Sequence, residues 1–263
     1  MATALINGVP VHFEDTGGSG PVVLFSHGFM MDHTMFAAQI DSLRGEYRCV
    51  AWDERGFGET PSPTPFSYWD SANDAVALLD HLGVGEAVFV GMSQGGYLSM
   101  RAALAHPNRV RALALIDSGA AVDAPEVLEG YGGMLDALCG DDEATYDLVA
   151  AGVGQIILGD QSLIDAWTPV WKARRSRDRN DLRTAGRTLI TRDDISARLG
   201  EIACPTLVIH GTADVAISLQ EAEKVASGVQ KGQLVVIDGG THAANLTHPV
   251  EVNTALRSFL ASL

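Results

Sequence analysis

Ser93 lies in the pentapeptide GMSQG (residues 91–95), whose spacing could create a nucleophile. An apolar run ends just before the motif, and a helical pattern begins just after it. In a sharp strand-to-helix turn, glycines two positions before and after the serine avoid side-chain clashes. The hydroxyl then projects from the carboxyl edge of a sheet, at the start of a helix whose free N–H groups favour negative charge. The motif therefore predicts that Ser93 attacks an electrophilic carbon.

A serine hydroxyl is a poor nucleophile at neutral pH, so the prediction requires a base that accepts its proton. Of the eight histidines, His242 follows the apolar run Leu234 to Ile237, in a loop where it can face Ser93. His248 precedes Pro249 and more naturally begins the final helix. We therefore predict that His242 is the base.

Two aspartates could orient this histidine. Asp117, in LALIDSG, and Asp214, in LVIHGTADV, both follow strand-like runs, and the chain order Ser, Asp, His fits either residue. Asp214 lies in a glycine-containing loop that can reach His242, whereas Asp117 could simply cap the next turn. We favour Asp214 as the acid and keep Asp117 as the alternative.

Acyl transfer also needs hydrogen-bond donors where the carbonyl oxygen becomes negative. The segment SHGFM (residues 26–30) directly follows the first parallel strand and offers the backbone N–H of Phe29. The second candidate donor is the backbone N–H of Gln94, next to the nucleophile. We expect His27 to brace this loop by hydrogen bonding.

The elements that must position these residues follow an alternating pattern. Short runs rich in β-branched residues alternate with longer helical patterns, which indicates a parallel sheet covered by helices on both faces. Asn7-Gly8 separates two further apolar segments and predicts a tight antiparallel hairpin. The predicted fold is therefore α/β, with a mostly parallel, doubly wound, eight-stranded sheet that begins with an antiparallel hairpin.

Residues 121–200 interrupt the alternation with helical spacing alone. We therefore predict a core formed by residues 1–120 and 201–263 and a helical cap, or lid, formed by residues 121–200. Within the cap, the basic run of residues 172–183 is expected to be a solvated helix face. Apolar side chains of the cap and of the loop after the first parallel strand are expected to line a cleft above the serine. These are Met30, Met31, Tyr131, Met134, Trp167 and Trp171.

Composition limits the class of partner. With 33 acidic and 18 basic residues the net charge is -15, which disfavours nucleic acid and anionic lipid. The three cysteines have no CxxC spacing, so neither a disulfide framework nor a metal site is predicted. No secretory signal or membrane-spanning stretch is recognisable, and we expect a cytoplasmic protein without a cofactor, either a monomer or a homo-oligomer.

Taken together, the motifs resemble those of the α/β-hydrolase superfamily along the whole chain. The matching segments are SHGF (residues 26–29), DERGFGET (53–60), GMSQGG (91–96), HPNRVRALALID (106–117), CPTLVIHGTADV (204–215) and GGTHAANLTHP (239–249). The resemblance is strongest to the carboxylesterase and enol-lactonase branch. It implies a triad of Ser93, Asp214 and His242, with Phe29 and Gln94 as oxyanion donors.

The sequence thus predicts a serine hydrolase that cleaves a small ester or lactone through an acyl-enzyme. Three alternatives would use the same triad. The chain could be a small-molecule receptor with slow turnover, a hydrolase of carbon-carbon bonds, or a cofactor-free perhydrolase. Arg101 or the cap arginines could supply a local site for a substrate carboxylate.

Overall fold

The strands form one mixed sheet. The computed structural model describes residues 1–62, 64–175 and 177–263. Over these residues the eight strands have the order β1-β2-β4-β3-β5-β6-β7-β8. Their bounds are β1 (Ala2–Ile6), β2 (Val9–Asp15), β3 (Val22–Ser26), β4 (Arg48–Trp52), β5 (Ala87–Met92), β6 (Val110–Ile116), β7 (Thr206–Gly211) and β8 (Gly232–Ile237). Strand β2 pairs antiparallel with β1 and β4, and the remaining neighbours are parallel, so the predicted sheet is confirmed.

The predicted hairpin joins β1 to β2. Asn7 and Gly8 have φ values of 46° and 82°, and Ile6 pairs with Val9. Two consecutive positive φ angles are the signature of the two-residue turn that matches the twist of adjacent strands. The Asn-Gly dipeptide therefore sets the register of the first strand pair.

Helices cover both faces of the sheet. Along β3, Val23 and Phe25 belong to one hydrophobic cluster and Leu24 belongs to another, as the alternation of a strand buried on both sides requires. The helices are α1 (Ala37–Leu43), α2 (Tyr68–His81), α3 (Gln94–Ala105), α4 (Pro125–Leu138), α5 (Glu143–Ile157), α6 (Gln161–Arg175), α7 (Arg179–Ile190), α8 (Leu219–Gly228), α9 (Ala244–Thr247) and α10 (Pro249–Leu260). Short 3₁₀ helices span His33–Phe36 and Ser196–Glu201. No helix of the described residues is long and apolar enough to cross a lipid bilayer.

Helices α4 to α7 are inserted between two adjacent strands. Ile116 at the end of β6 pairs with Ile209 of β7, although the whole helical segment separates them in sequence. Tyr146, Trp167 and Trp171 from this segment join the hydrophobic cluster on one face of the sheet. The insertion thus covers the carboxyl side of the sheet without breaking its pairing.

Candidate active site

The turn between β5 and α3 holds Ser93 in a strained conformation. Its φ and ψ are 51° and -116°, outside the favoured regions for an L-residue. A Cβ on Gly91 would collide with the backbone of Gly95, and one on Gly95 would collide with the Ser26 carbonyl. The Ser93 carbonyl accepts a hydrogen bond of 2.8 Å from Ser118 Oγ. The glycines of the motif are therefore required by close backbone approach, as predicted.

The structure brings Ser93, His242 and Asp214 together in one hydrogen-bonded chain. His242 Nε2 lies 2.9 Å from Ser93 Oγ, and His242 Nδ1 lies 2.9 Å from Asp214 Oδ2. Asp214 Oδ1 accepts hydrogen bonds from the N–H groups of Ala216 and Ile217, at 2.8 and 2.9 Å. Ser93 follows the carboxyl end of β5, Asp214 that of β7 and His242 that of β8, and these ends lie at one edge of the sheet.

Asp214 and His242 stabilise each other's charged forms. Burial disfavours the imidazolium of His242, but the hydrogen bond and charge of Asp214 outweigh it and raise the pKa of His242. Burial would raise the pKa of Asp214, and the bond to His242 reverses this and lowers it. Asp214 is therefore ionised whenever His242 accepts a proton.

Asp117, the alternative acid, makes different contacts. Its Oδ1 accepts from the Gly211 N–H at 2.8 Å, and its Oδ2 accepts from the Ala244 N–H at 2.9 Å. Burial raises the pKa of Asp117 to about 7. The carboxyl group thus joins the end of β7 to the loop that carries His242, and the direct partner of that histidine is Asp214.

The SHGFM loop lies against the nucleophile. A Cβ on Gly28 would contact Met92 Sδ and approach Ser93 Cβ to 3.6 Å. His27 Nδ1 donates to the Gly28 carbonyl at 2.8 Å and its Nε2 accepts from the Glu54 N–H at 3.0 Å, so His27 braces the loop as expected. Burial lowers the pKa of His27 to about 4, which keeps the ring neutral.

The two predicted oxyanion donors lie beside this contact. Phe29 follows Gly28 in the loop, and Gln94 is the first residue of α3. Within the described part of the chain, neither backbone N–H donates a hydrogen bond to a protein acceptor. Both groups thus retain the capacity to bind an anionic oxygen.

A mostly apolar cavity opens beside Ser93 and His242. Besides Ser93 and His242, the described lining includes the carboxylate of Asp123, whose Oδ2 accepts from Arg192 Nη2 at 2.7 Å. The apolar lining comprises Phe29, Met92, Tyr97, Tyr131, Met134, Val153, Ile156, Ile157, Leu189, Ala216 and Ile217. No lysine or arginine is among the described residues that line it.

Four of the six predicted substrate-binding residues lie elsewhere. Tyr131 and Met134 line the cavity, whereas Met31, Trp167 and Trp171 pack in the hydrophobic core. Met30 and Trp171 instead line a separate cavity between residues 56–61 and the adjoining ends of α6 and α7. The helical spacing correctly predicted which face of α6 is buried. It did not separate a face that packs in the core from one that lines a cavity, because both surroundings are apolar.

Several lining residues were missed although the sequence held a signal for them. Met92 and Tyr97 flank the nucleophile, and Ala216 and Ile217 follow the acid within three residues. Side chains this close to the motif must lie at the same sheet edge. Leu189 had no such signal, because its place depends on how α7 packs.

Arg101 and Arg175, two of the arginines considered as carboxylate sites, are engaged in hydrogen bonds with the protein. Arg101 Nη2 donates to Asp193 Oδ1 at 2.8 Å, and its Nη1 donates to the Tyr97 carbonyl at 3.0 Å. In the basic run of residues 172–183, Ser176 lies outside the described residues. Arg175 is buried and donates to Glu143, so the expectation of a solvated helix face was wrong for this residue. The segment holds the inserted helices together by these bonds.

Among the residues that the structure describes, two groups of side chains place possible metal ligands within 4.8 Å of one another. They are His12, His33 and Asp53, and Asp117, His210 and Asp214. Asp53 Oδ1 already accepts from His33 Nδ1 at 2.7 Å and from its N–H at 2.9 Å. The carboxylates of both groups are thus engaged in hydrogen bonds that hold loops, and we propose no metal for either.

Comparison with known proteins agrees with the fold. The sequence profile of the alpha/beta hydrolase fold matches residues 21–152, and that of TAP-like proteins matches residues 168–263. The chain is 28% identical to "Putative carbamate hydrolase RutD" of Agrobacterium fabrum, over 95% of this chain and 98% of the relative. It is 25% identical to 3-oxoadipate enol-lactonase 1 of Acinetobacter baylyi, over 93% and 90% of the two chains.

Among solved structures, a thermophilic esterase from Thermogutta terrifontis superposes with a TM-score of 0.85 at 29% identity. The alignment covers 99% of this chain and 98% of the esterase. The profile match, the sheet order and these relatives lead to one assignment. The chain belongs to the α/β-hydrolase superfamily.

Proposed function

We propose that the protein is a serine hydrolase that cleaves a small, neutral ester or lactone through an acyl-enzyme intermediate. The observation that carries this proposal is the hydrogen-bonded chain from Ser93 Oγ through His242 to Asp214, with both distances at 2.9 Å. The same arrangement activates a serine in several unrelated folds. It is therefore recognised by the geometry of the three side chains and not by their positions in the sequence.

Each residue has a defined task in the proposed reaction. Asp214 keeps the ring proton of His242 on Nδ1, so that Nε2 can accept the Ser93 proton. Ser93 Oγ then bonds to the substrate carbonyl carbon, and the N–H groups of Phe29 and Gln94 stabilise the oxyanion. His242 returns the proton to the leaving alkoxide as the carbon-oxygen bond breaks. Water attacks the acyl-enzyme by the same route in reverse and releases the acid and Ser93.

The cavity favours a neutral, apolar acyl group. Its walls are mostly aliphatic and aromatic, and the one carboxylate among the described lining residues, Asp123, has Arg192 as its partner. A substrate carboxylate would find no cationic partner among the described lining residues and would pass close to Asp123. This supports uncharged esters and lactones over substrates that carry an acidic group.

The test is hydrolysis of p-nitrophenyl esters of graded acyl length, together with lactones, carbamates and vinylogous diketones. We expect sustained turnover of short neutral esters, and loss of turnover in Ser93→Ala without loss of the thermal transition. A serine-directed phosphonate should label Ser93, as located by peptide mass spectrometry. Unchanged activity of Ser93→Ala would refute the proposal, and release of only one product per chain would favour the receptor alternative.

A further inference from the structure

The direction of the Phe29 N–H depends on two peptide groups of the loop, the one between Gly28 and Phe29 and the one between Met30 and Met31. The Gly28 carbonyl and the Phe29 N–H belong to the same planar, trans peptide, so they point in opposite directions. The Gly28 carbonyl accepts from His27 Nδ1 at 2.8 Å and from the Met31 N–H at 3.1 Å. These two bonds therefore direct the Phe29 N–H away from His27 and Met31.

The peptide group between Met30 and Met31 is held by a side chain of the inserted helices. The Met31 N–H shares a peptide group with the Met30 carbonyl, which accepts from Arg174 Nη1 at 2.9 Å. The same nitrogen donates to the Met31 carbonyl at 3.1 Å, and Arg174 Nη2 forms an ion pair with Asp32. One guanidinium on α6 thus binds three consecutive residues of the loop.

The loop has reason to need this support. Met30 has φ 65°, a left-handed conformation that is unfavourable for a residue with a long side chain. Such conformations persist where the surroundings fix them, and they cluster at functional sites. The Arg174 side chain is 15% exposed at this contact, with its Cζ 6.0 Å from the centroid of the Trp167 ring. Burial lowers its pKa to about 10, so the guanidinium keeps its charge at neutral pH.

We propose that Arg174 is a positioning residue for the oxyanion site. It fixes the turn at Met30, and through the Met31 N–H and the Gly28 carbonyl it aims and polarises the Phe29 N–H. Hydrogen bonds in series strengthen one another, so a cation at one end improves the donor at the other. The inference rests on the proposed function, because it assumes that Phe29 binds the oxyanion.

The inference explains two features that the mechanism leaves aside. Trp167, which does not reach the cavity, packs against the arginine that holds the loop. Arg174, which lies in the basic run, directs its guanidinium to carbonyls of the core loop and not to solvent. The inserted helices would then contribute to the chemistry as well as to the cavity wall.

The experiment compares Arg174→Met and Arg174→Lys with the control Arg177→Met. Arg177 makes equivalent bonds from the same segment to another core loop, since its Nη2 donates to the Gly58 carbonyl at 2.8 Å and its Nη1 pairs with Glu59 at 2.6 Å. The readouts are kcat and KM for a short p-nitrophenyl ester, and the Ki of a trifluoromethyl ketone of matched acyl length. The ketone reports the oxyanion site directly, because Ser93 would convert it into a tetrahedral adduct.

We expect Arg174→Met to lower kcat by about 10- to 100-fold, less than the 10²- to 10³-fold typical for outright loss of one oxyanion donor. KM should stay within about twofold, because ground-state binding is unchanged. The Ki of the ketone should rise by the same factor as kcat/KM falls, Arg174→Lys should lie between, and Arg177→Met should match the wild type.

Three results would overturn the inference. They are an unchanged ketone Ki in both Arg174 variants, an equal loss in Arg177→Met, or a fall in activity that follows only the fraction of folded protein. If Arg174→Met does not fold, Arg174→Lys carries the test, since it keeps the charge but has one nitrogen in place of the two that bind the carbonyls and Asp32. Failure of the wild-type protein to form a Ser93 adduct would instead refute the proposed function.

Discussion

Replacement of Asp214 by asparagine gives the sharpest test of the triad, because the surroundings dictate how the new side chain must lie. Asp214 Oδ1 accepts from two backbone N–H groups, those of Ala216 and Ile217, and only an oxygen can replace it there. The amide nitrogen of the asparagine must then face His242 Nδ1 in place of Oδ2. It donates to Nδ1, which moves the ring proton to Nε2, so that His242 can no longer accept the Ser93 proton.

The size of the effect follows from this change of tautomer. Loss of the orienting carboxylate with retained geometry typically lowers kcat by about 10⁴, which corresponds to about 5.5 kcal/mol at 1.36 kcal/mol per tenfold. The fold should survive, because both backbone bonds to the side-chain oxygen are kept. We therefore expect a normal thermal transition together with almost complete loss of turnover.

Asp117→Asn is the matched control. The carboxyl groups of both aspartates have no exposed side-chain surface and accept backbone hydrogen bonds, but Asp117 accepts from Gly211 and Ala244 and does not contact the ring of His242. Its kcat should fall by no more than about tenfold, since only the loop position is affected. Steady-state hydrolysis of one p-nitrophenyl ester by both variants decides the matter. A larger loss in Asp117→Asn than in Asp214→Asn would refute the assignment of the acid.

Four further predictions follow from the same geometry. His242 must be neutral to accept a proton, and its pKa is raised above 6.5. The value of kcat/KM should therefore fall as the pH falls, with an inflection above pH 6.5. An inflection below pH 6.5 in the pH-rate profile would contradict this prediction. Burial in the folded state raises the pKa of Asp117 from 3.8 to about 7. The folded protein therefore holds this proton more tightly than the unfolded chain does. The stability that this difference contributes is complete below pH 3.8 and is lost as the pH rises to 7. Urea unfolding should show this loss relative to Asp117→Asn, and equal pH slopes would refute it. Gly95→Ala should abolish the cooperative thermal transition, because the added Cβ would overlap a backbone carbonyl. In Gly130→Ala the added Cβ meets no atom within 4 Å, so the transition temperature should stay the same or rise. Equal transition temperatures in the two variants would count against the packing described for the turn. An ester with a terminal acyl carboxylate should have a kcat/KM at least about tenfold below that of its neutral analogue, because the carboxylate would lie near Asp123. Asp123→Asn should narrow this difference. Equal kcat/KM values for the two esters would show that the cavity tolerates the charge.

The parts of the site that could be predicted from the sequence are those set by local backbone chemistry. Glycines beside Ser93 predicted a tight turn because few other residues allow it, and Asn7-Gly8 predicted the hairpin for the same reason. The strand runs then placed His242 and Asp214 at one edge, because all parallel strands point the same way. Each of these inferences needed only neighbours in sequence and one rule of sheet geometry.

The parts that could not be predicted depend on packing between distant segments. Trp167 and Trp171 have the spacing of a buried helix face, but their neighbours in the fold decide whether that face meets a cavity or a core. Arg174 lies in a run of charges that is typical of a solvated surface. Only the approach of α6 to the loop at Met30 reveals that its guanidinium is directed inward.

The bonds from α6 to the loop after β3 bear on how this protein could be re-engineered. A foreign helical segment grafted between β6 and β7 would replace the wall of the cavity and would also remove the guanidinium that holds a backbone turn in the core. Chimeras made to accept new substrates should therefore retain residues 161–175 and diversify α4 and α5, which supply Tyr131, Met134 and Val153 to the cavity. Libraries that exchange the whole segment would need a redesigned loop that keeps its left-handed residue unaided, for instance with glycine at position 30.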